Sequence, residues 1–207
     1  MTNPMATYSV SQTLVRSSLV LALLVSVGCA RSPQRSYYSL QGPAPQSTRR
    51  AAFTPDQMQV VVGPVTLPET VDRPQMVTRS GANRLEINDL HRWVQPLSGE
   101  IAAVLAADLY RDLGQTTLVG IQGQEAATHD PVYRVVVDIE RFEAVLGQGA
   151  TVEAAWSIRR KGAEAPLHGR TLARAPVSET SHDALAAAFA QALRRVSREI
   201  AATLPIH

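Results

Sequence analysis

The only cysteine of this 207-residue chain, Cys29, closes a short apolar run, Leu19-Val-Leu-Ala-Leu-Leu-Val-Ser-Val-Gly-Cys29, and that placement sets where a folded domain can begin. Arg16 precedes the run and Gly28 stands immediately before the cysteine. The run is far shorter than the roughly 20 residues of a bilayer-spanning helix. It suits the apolar core of a signal peptide, which is about 7–15 residues long. A cation, a short greasy segment and a small residue before a cysteine are the layout of a bacterial lipoprotein signal. Cleavage between Gly28 and Cys29 would leave Cys29 as the first residue, carrying diacylglycerol and an acyl chain. Two or more chains anchor firmly, at about 0.8 kcal/mol per buried methylene. Ser26 stands where Leu or Val is commoner, and Met5 offers a second start. The alternatives are an ordinary signal peptide with a chance cysteine, or a buried structural thiol.

With Cys29 acylated, no thiol remains for a disulfide, so the fold must rest on packing alone. Residues 29–207 number 179, the size of one domain. The formal charge of +2 loses Arg16 with the leader, leaving 19 basic against 18 acidic side chains. The charges are interspersed, without the concentrated basic face of a nucleic-acid binder. Ala30 and Arg31 follow the cysteine. The absence of Asp at the second position favours outer-membrane sorting, with the domain facing the periplasm.

Along the chain, residues 29–56 read as a lipidated tether with one strand-like patch, Tyr37-Tyr-Ser-Leu-Gln41, and residues 57–207 as a single domain. Gln59–Leu67 is β-rich, with Gly63-Pro64 marking a bulge or an edge. Met76 and Val77, the turn Ser80–Asn83, and Leu85 and Ile87 predict a hairpin. A helix is predicted over Ser98–Leu113, with Ser98 as N-cap, Gly114 as C-cap and a stripe of Ile101, Val104, Leu105, Leu109 and Leu113. Strands follow at Thr116–Ile121, Tyr133–Ile139, Thr151–Arg159 and Leu167–Ala173, with Gly147-Gln-Gly149 as a hairpin turn. A last helix over Ser181–Thr203 buries Leu185, Phe189, Leu193, Val196 and Ile200, with Arg194, Arg195 and Arg198 towards the other face. The sum is an α+β domain: an antiparallel or mixed sheet with two amphipathic helices packed on it.

Reactive groups are not concentrated. His91, His129, His168, His182 and His207 are scattered, and no two stand at i and i+4 as a helical metal pair. There is no Gly-x-Ser-x-Gly elbow and no P-loop. Asp138 and Glu140 share one side of a strand, which suits a solvated face better than acid–base work. The expectation is no catalytic residue, no metal and no cofactor beyond the lipid on Cys29. Trp156 alternates with Val152 and Ile158 and reads as core. Two clusters at the ends of elements, Asp72-Arg73-Pro74 and Arg92-Trp93, are candidates for partner binding. The alternative for both is packing.

The run Leu67-Pro-Glu-Thr-Val-Asp-Arg-Pro-Gln-Met-Val-Thr-Arg79, then Asn83 and Leu85, then Arg92-Trp-Val-Gln-Pro-Leu97, resembles the PqiC/YmbA-like ABC-type transport auxiliary lipoproteins. Their pattern is roughly Leu-Pro-x-Tyr-Leu-Asp-Arg-Pro-Gln-hydrophobic-Val, and later Arg-Trp-Ala-Glu-Pro-Leu before a helix. This chain departs at Thr70-Val71 and at Val94-Gln95. Tyr37-Tyr-Ser-Leu40, Phe142 and Val152-Glu-Ala-Ala-Trp156 also match. The resemblance implies a non-enzymatic outer-membrane lipoprotein. It would dock a periplasm-spanning MCE-domain protein that moves phospholipid between membranes, as one subunit of a homo-oligomeric ring. The alternative is a periplasmic lipoprotein that itself binds lipid or plugs an outer-membrane barrel.

Overall fold

The computed structural model describes residues 33–42, 58–114, 117–123 and 133–204. The backbone divides into two units, Met1–Gln34 and Arg35–His207. Of the first, only Pro33 and Gln34 are described, both exposed. Gly28, Cys29, His129 and His207 lie outside the described residues.

In the second unit the elements run β1 (Ser36–Tyr38), β2 (Met58–Thr66), β3 (Gln75–Gly81), β4 (Arg84–Trp93), α1 (Leu97–Leu113), β5 (Thr117–Ile121), β6 (Tyr133–Val145), β7 (Gly149–Arg160), β8 (Leu167–Pro176) and α2 (His182–Thr203). The expected α+β class holds, with the strands divided between two sheets. A five-stranded mixed sheet has the order β5-β2-β6-β7-β8; a three-stranded one has the order β1-β4-β3. β2 pairs in parallel with β5 and β6, and β6, β7 and β8 pair antiparallel.

β2 lies inside the large sheet, and its Val60-Val61-Val62 run is fully buried, as suits an interior parallel strand. The edge alternative for Gly63-Pro64 therefore falls away and the bulge remains. The register with β6 shifts between Val62 and Val65, and the Gly63–Pro64 bond is cis. A bulge accommodates a proline that cannot donate to the ladder.

β6 and β7 follow the expected alternation. Tyr133, Val135, Val137 and Ile139 are buried, the last three opposite Ile158, Trp156 and Ala154. The register then shifts between Ile139 and Arg141, after which the buried positions become Phe142 and Ala144. A single inserted residue reverses which parity faces inward. This bulge carries the apolar face on to Ala144, five residues beyond where the sequence pattern ended it.

Both helices pack into the core. On α1, Ile101, Val104, Leu105 and Leu109 are buried, and Leu113 is partly so. Gly114 caps its C-terminus as expected, at φ 79°. The expected N-cap is corrected: Pro96 holds that position, no side chain caps it, and Ser98 lies within the first turn. A proline preorganises the entry without needing a donor, so no cap was legible in residue type. On α2, all five predicted stripe residues are buried, Arg194, Arg195 and Arg198 are exposed, and the Ser181 hydroxyl accepts from the Ala184 N–H at 3.1 Å. Among the described residues no helix is long and apolar enough to cross a membrane.

Candidate functional site

The small sheet carries both candidate clusters and brings them together. After β2, a tight turn forms as the Val71 and Asp72 N–H groups donate to the Pro68 carbonyl at 3.0 and 3.1 Å. Gln75 then pairs with Arg92, and the Trp93 N–H donates to the Pro74 carbonyl at 2.7 Å. Asp72-Arg73-Pro74 and Arg92-Trp93, eighteen or more residues apart in sequence, thus share one corner. Asp72 and Pro74 are exposed, and Arg73 and Arg92 are half-buried.

Trp93 is different. It is 4% exposed, and its ring meets Phe142 and Phe189 edge-on at 6.3 and 6.1 Å. Those two rings stack at 3.8 Å. One aromatic cluster thereby ties the small sheet (Trp93) to the large sheet (Phe142) and to α2 (Phe189). Of the two readings for Trp93, packing describes it, because a side chain this buried presents no surface to a partner. Trp156 is core as expected, its indole N–H donating to Thr171 Oγ1 at 3.1 Å.

Two features of this region were not legible in the sequence. Glu100, in the first turn of α1, is 1% exposed. Its carboxylate accepts from the Ser39 hydroxyl at 2.9 Å, the Leu40 N–H at 3.0 Å and Gln95 Nε2 at 3.1 Å. Its place at a helix N-terminus suits a carboxylate, but its partners 60 residues upstream carry no sequence signal. The effect is to fasten the end of β1 to α1. Nearby, the Tyr38 hydroxyl and His91 Nδ1 share a hydrogen bond of 2.7 Å, and His91 stacks on His182 at 3.6 Å. Burial, and then the neighbouring His91, lower the His182 pKa below the ordinary histidine value.

Asp138 and Glu140 are both engaged on the solvated face of the large sheet. Asp138 accepts from the Thr66 hydroxyl at 2.6 Å, and Glu140 pairs with Arg170, which also reaches Glu153 at 3.0 Å. Among the described residues no group of three or more His, Cys, Asp or Glu could hold a metal.

Two concavities stand out. A cleft of about 240 Å³ between the β3–β4 hairpin and β6 includes Val71, Leu85 and Phe142 and is crossed by the Arg79–Glu143 ion pair at 2.7 Å. It is smaller than usual ligand sites, which run about 300–1,000 Å³. A groove of about 850 Å³ between α1 and α2 has alanines on its floor, but Asp108, Arg111, Asp183 and Arg194 line it as well. Four charged side chains suit an acyl chain poorly.

The family model for the ABC-type transport auxiliary lipoprotein component matches residues 38–201. The fold resembles the crystal structure of an uncharacterized protein at 17% identity and TM-score 0.63, covering 82% of this chain and 97% of that one. It also resembles a Xanthomonas campestris protein of the DUF330 family at 21% identity and TM-score 0.56, covering 72% and 86%. A more distant likeness, 13% identity and TM-score 0.40 over 68% and 84%, is to the PelC dodecamer from Paraburkholderia phytofirmans. No curated protein matches.

Proposed function

The chain belongs to the ABC-type transport auxiliary lipoprotein component family, and from that premise we propose that it is an outer-membrane lipoprotein that docks an MCE-domain transport protein. In this reading Cys29 carries the lipid, the domain faces the periplasm, and the corner formed by Asp72, Pro74 and Arg92 is the partner surface. Several copies assemble around the bridging protein, and the cargo is phospholipid handled by the partner. The chain does no chemistry of its own.

The observation that supports this most is how closely the domain follows the anchor. β1 is already part of a sheet at Ser36, only seven residues after Cys29, and Glu100 fastens the residues just beyond it. A domain on so short a leash stays concentrated at the membrane face, which favours docking of a partner that reaches that surface.

The test is a pull-down from crosslinked membranes with the wild type, Cys29→Ala and Arg92→Ala. Recovery of an MCE-domain protein with the wild type, lost without the anchor and weakened by Arg92→Ala, is the expected result. Recovery of bound lipid with no MCE-domain protein would refute the docking role and favour a lipid carrier.

A further inference from the structure

β1 pairs with β4 in parallel, Ser36 opposite His91 and Tyr38 opposite Trp93. It covers only the last three residues of β4. The preceding stretch, Arg84–Leu90, has β3 on one side and no described strand on the other. Two large apolar side chains of this hairpin are left exposed, as Tyr37, Val94, Leu167 and Leu172 are elsewhere. Leu85 is 41% exposed and Ile87 49%, opposite Arg79 and Val77. Natural sheets rarely leave such an edge without a reason.

The direction of β1 supplies one. Because the strands are parallel, the backbone that leaves Ser36 towards its N-terminus heads the same way as β4 followed back from His91 towards Arg84. Seven residues separate Cys29 from Ser36, and seven separate Arg84 from His91. A seven-residue chain spans at most about 25 Å. The anchor is therefore confined to within that reach of Ser36, which is the end of β1 nearer the hairpin turn.

We infer that the distal β3–β4 hairpin rests on the lipid bilayer to which Cys29 is attached, with Leu85 and Ile87 entering the headgroup–acyl boundary. The inference rests on acylation of Cys29. Shallow seating of apolar side chains with cations around them is the mode of interfacial proteins. Arg84, at the hairpin turn, and Arg35, next to β1, are both exposed. Glu86 and Asp89 are exposed there too, and Asp89 is occupied by Gln75 at 2.9 Å. The charges roughly cancel, so the contact is chiefly apolar.

The test uses Ile87→Trp in the full-length lipidated protein, reconstituted in phosphatidylethanolamine–phosphatidylglycerol vesicles with brominated acyl chains. Trp93 and Trp156 are buried and form a constant background. The control is Val94→Trp, at a position 53% exposed just beyond the opposite end of the same strand. Mass analysis of the N-terminal peptide establishes acylation first. The expected result is a blue-shifted, bromine-quenched emission from Ile87→Trp and none from Val94→Trp. Acylated protein whose Ile87→Trp emission ignores bromine would overturn the inference and leave the lipoprotein reading standing. So would quenching of both variants alike, or crosslinking of position 87 in native membranes to a protein strand. An unacylated Cys29 would overturn both.

Discussion

His182 sits in the first turn of α2 with its ring stacked on His91, so a proton there is opposed three ways. Burial and His91 both lower its pKa, and the positive end of the helix dipole acts in the same sense. The sign follows from linkage. The unfolded chain, with an ordinary histidine pKa of about 6.5, takes up the proton first. The stability this group contributes is therefore complete above that value and is lost as pH falls through it towards the lowered folded pKa. Thermal melts from pH 7.5 to 5 should show the melting temperature falling, with a shallower slope in His182→Gln. Identical slopes would mean the stack does not couple protonation to folding. At Glu100 the expected loss is larger. Glu100→Ala leaves the Leu40 N–H and the Ser39 hydroxyl without their acceptor, a cost of about 1–3 kcal/mol for a buried donor. Hydrogen exchange at the Leu40 amide should accelerate far more than exchange in α2, and Glu100→Gln, which keeps an acceptor oxygen, should recover part of it.

At the scale of elements, what could be read in the sequence is what depends on local period. The stripe of α2 and the alternation of β6 and β7 both follow from neighbours a few residues apart. What could not be read depends on partners far away in the chain. The second arm of the hairpin was expected around Leu85 and Ile87, yet β4 runs on to Trp93 because β1 and Pro74 supply ladder bonds there. Leu85 and Ile87 alternate like core residues but stay half-exposed, because on that face β6 leaves a cleft, lined by Leu85, rather than a packed layer. Asp72, Pro74 and Arg92 meet at one corner, but Trp93 belongs to the aromatic cluster, and Phe142 reaches it only through the β6 bulge. Trp93→Ala should therefore destabilise by about 3–5 kcal/mol, as aromatic truncations in cores do. Arg92→Ala should change melting little. Equal effects would place Trp93 outside the core. Gly169 makes a related point on β8. It lies opposite Trp156, and a Cβ there would run into the indole ring. Gly169→Ala should cost about 1–3 kcal/mol through overpacking, read as a lower denaturation midpoint.

For the whole molecule, the position of β1 decides how the anchor acts. The sequence reads residues 29–56 as the tether, and the stretch between Gly42 and β2 is rich in Pro, Ala and Arg. With β1 bonded to β4 and Glu100 holding Leu40, the tether of the proposed lipid anchor shortens to residues 29–35. The distinction has a measurable consequence for the inferred membrane contact. Burying a leucine-sized side chain fully contributes about 1.5–3 kcal/mol, so two that are half-exposed contribute roughly that much together. A contact this weak persists only at the high local concentration a short leash provides. Effective concentration falls roughly as the −3/2 power of tether length. Adding about 20 Gly/Ser residues before Ser36 should thus weaken the contact about 7-fold, seen as loss of bromine quenching in Ile87→Trp. The same insertion within residues 43–57 should leave quenching unchanged, because β1 already fixes the domain upstream of it. If the two insertions weaken quenching equally, β1 does not hold on the membrane, and the anchor acts through the longer segment.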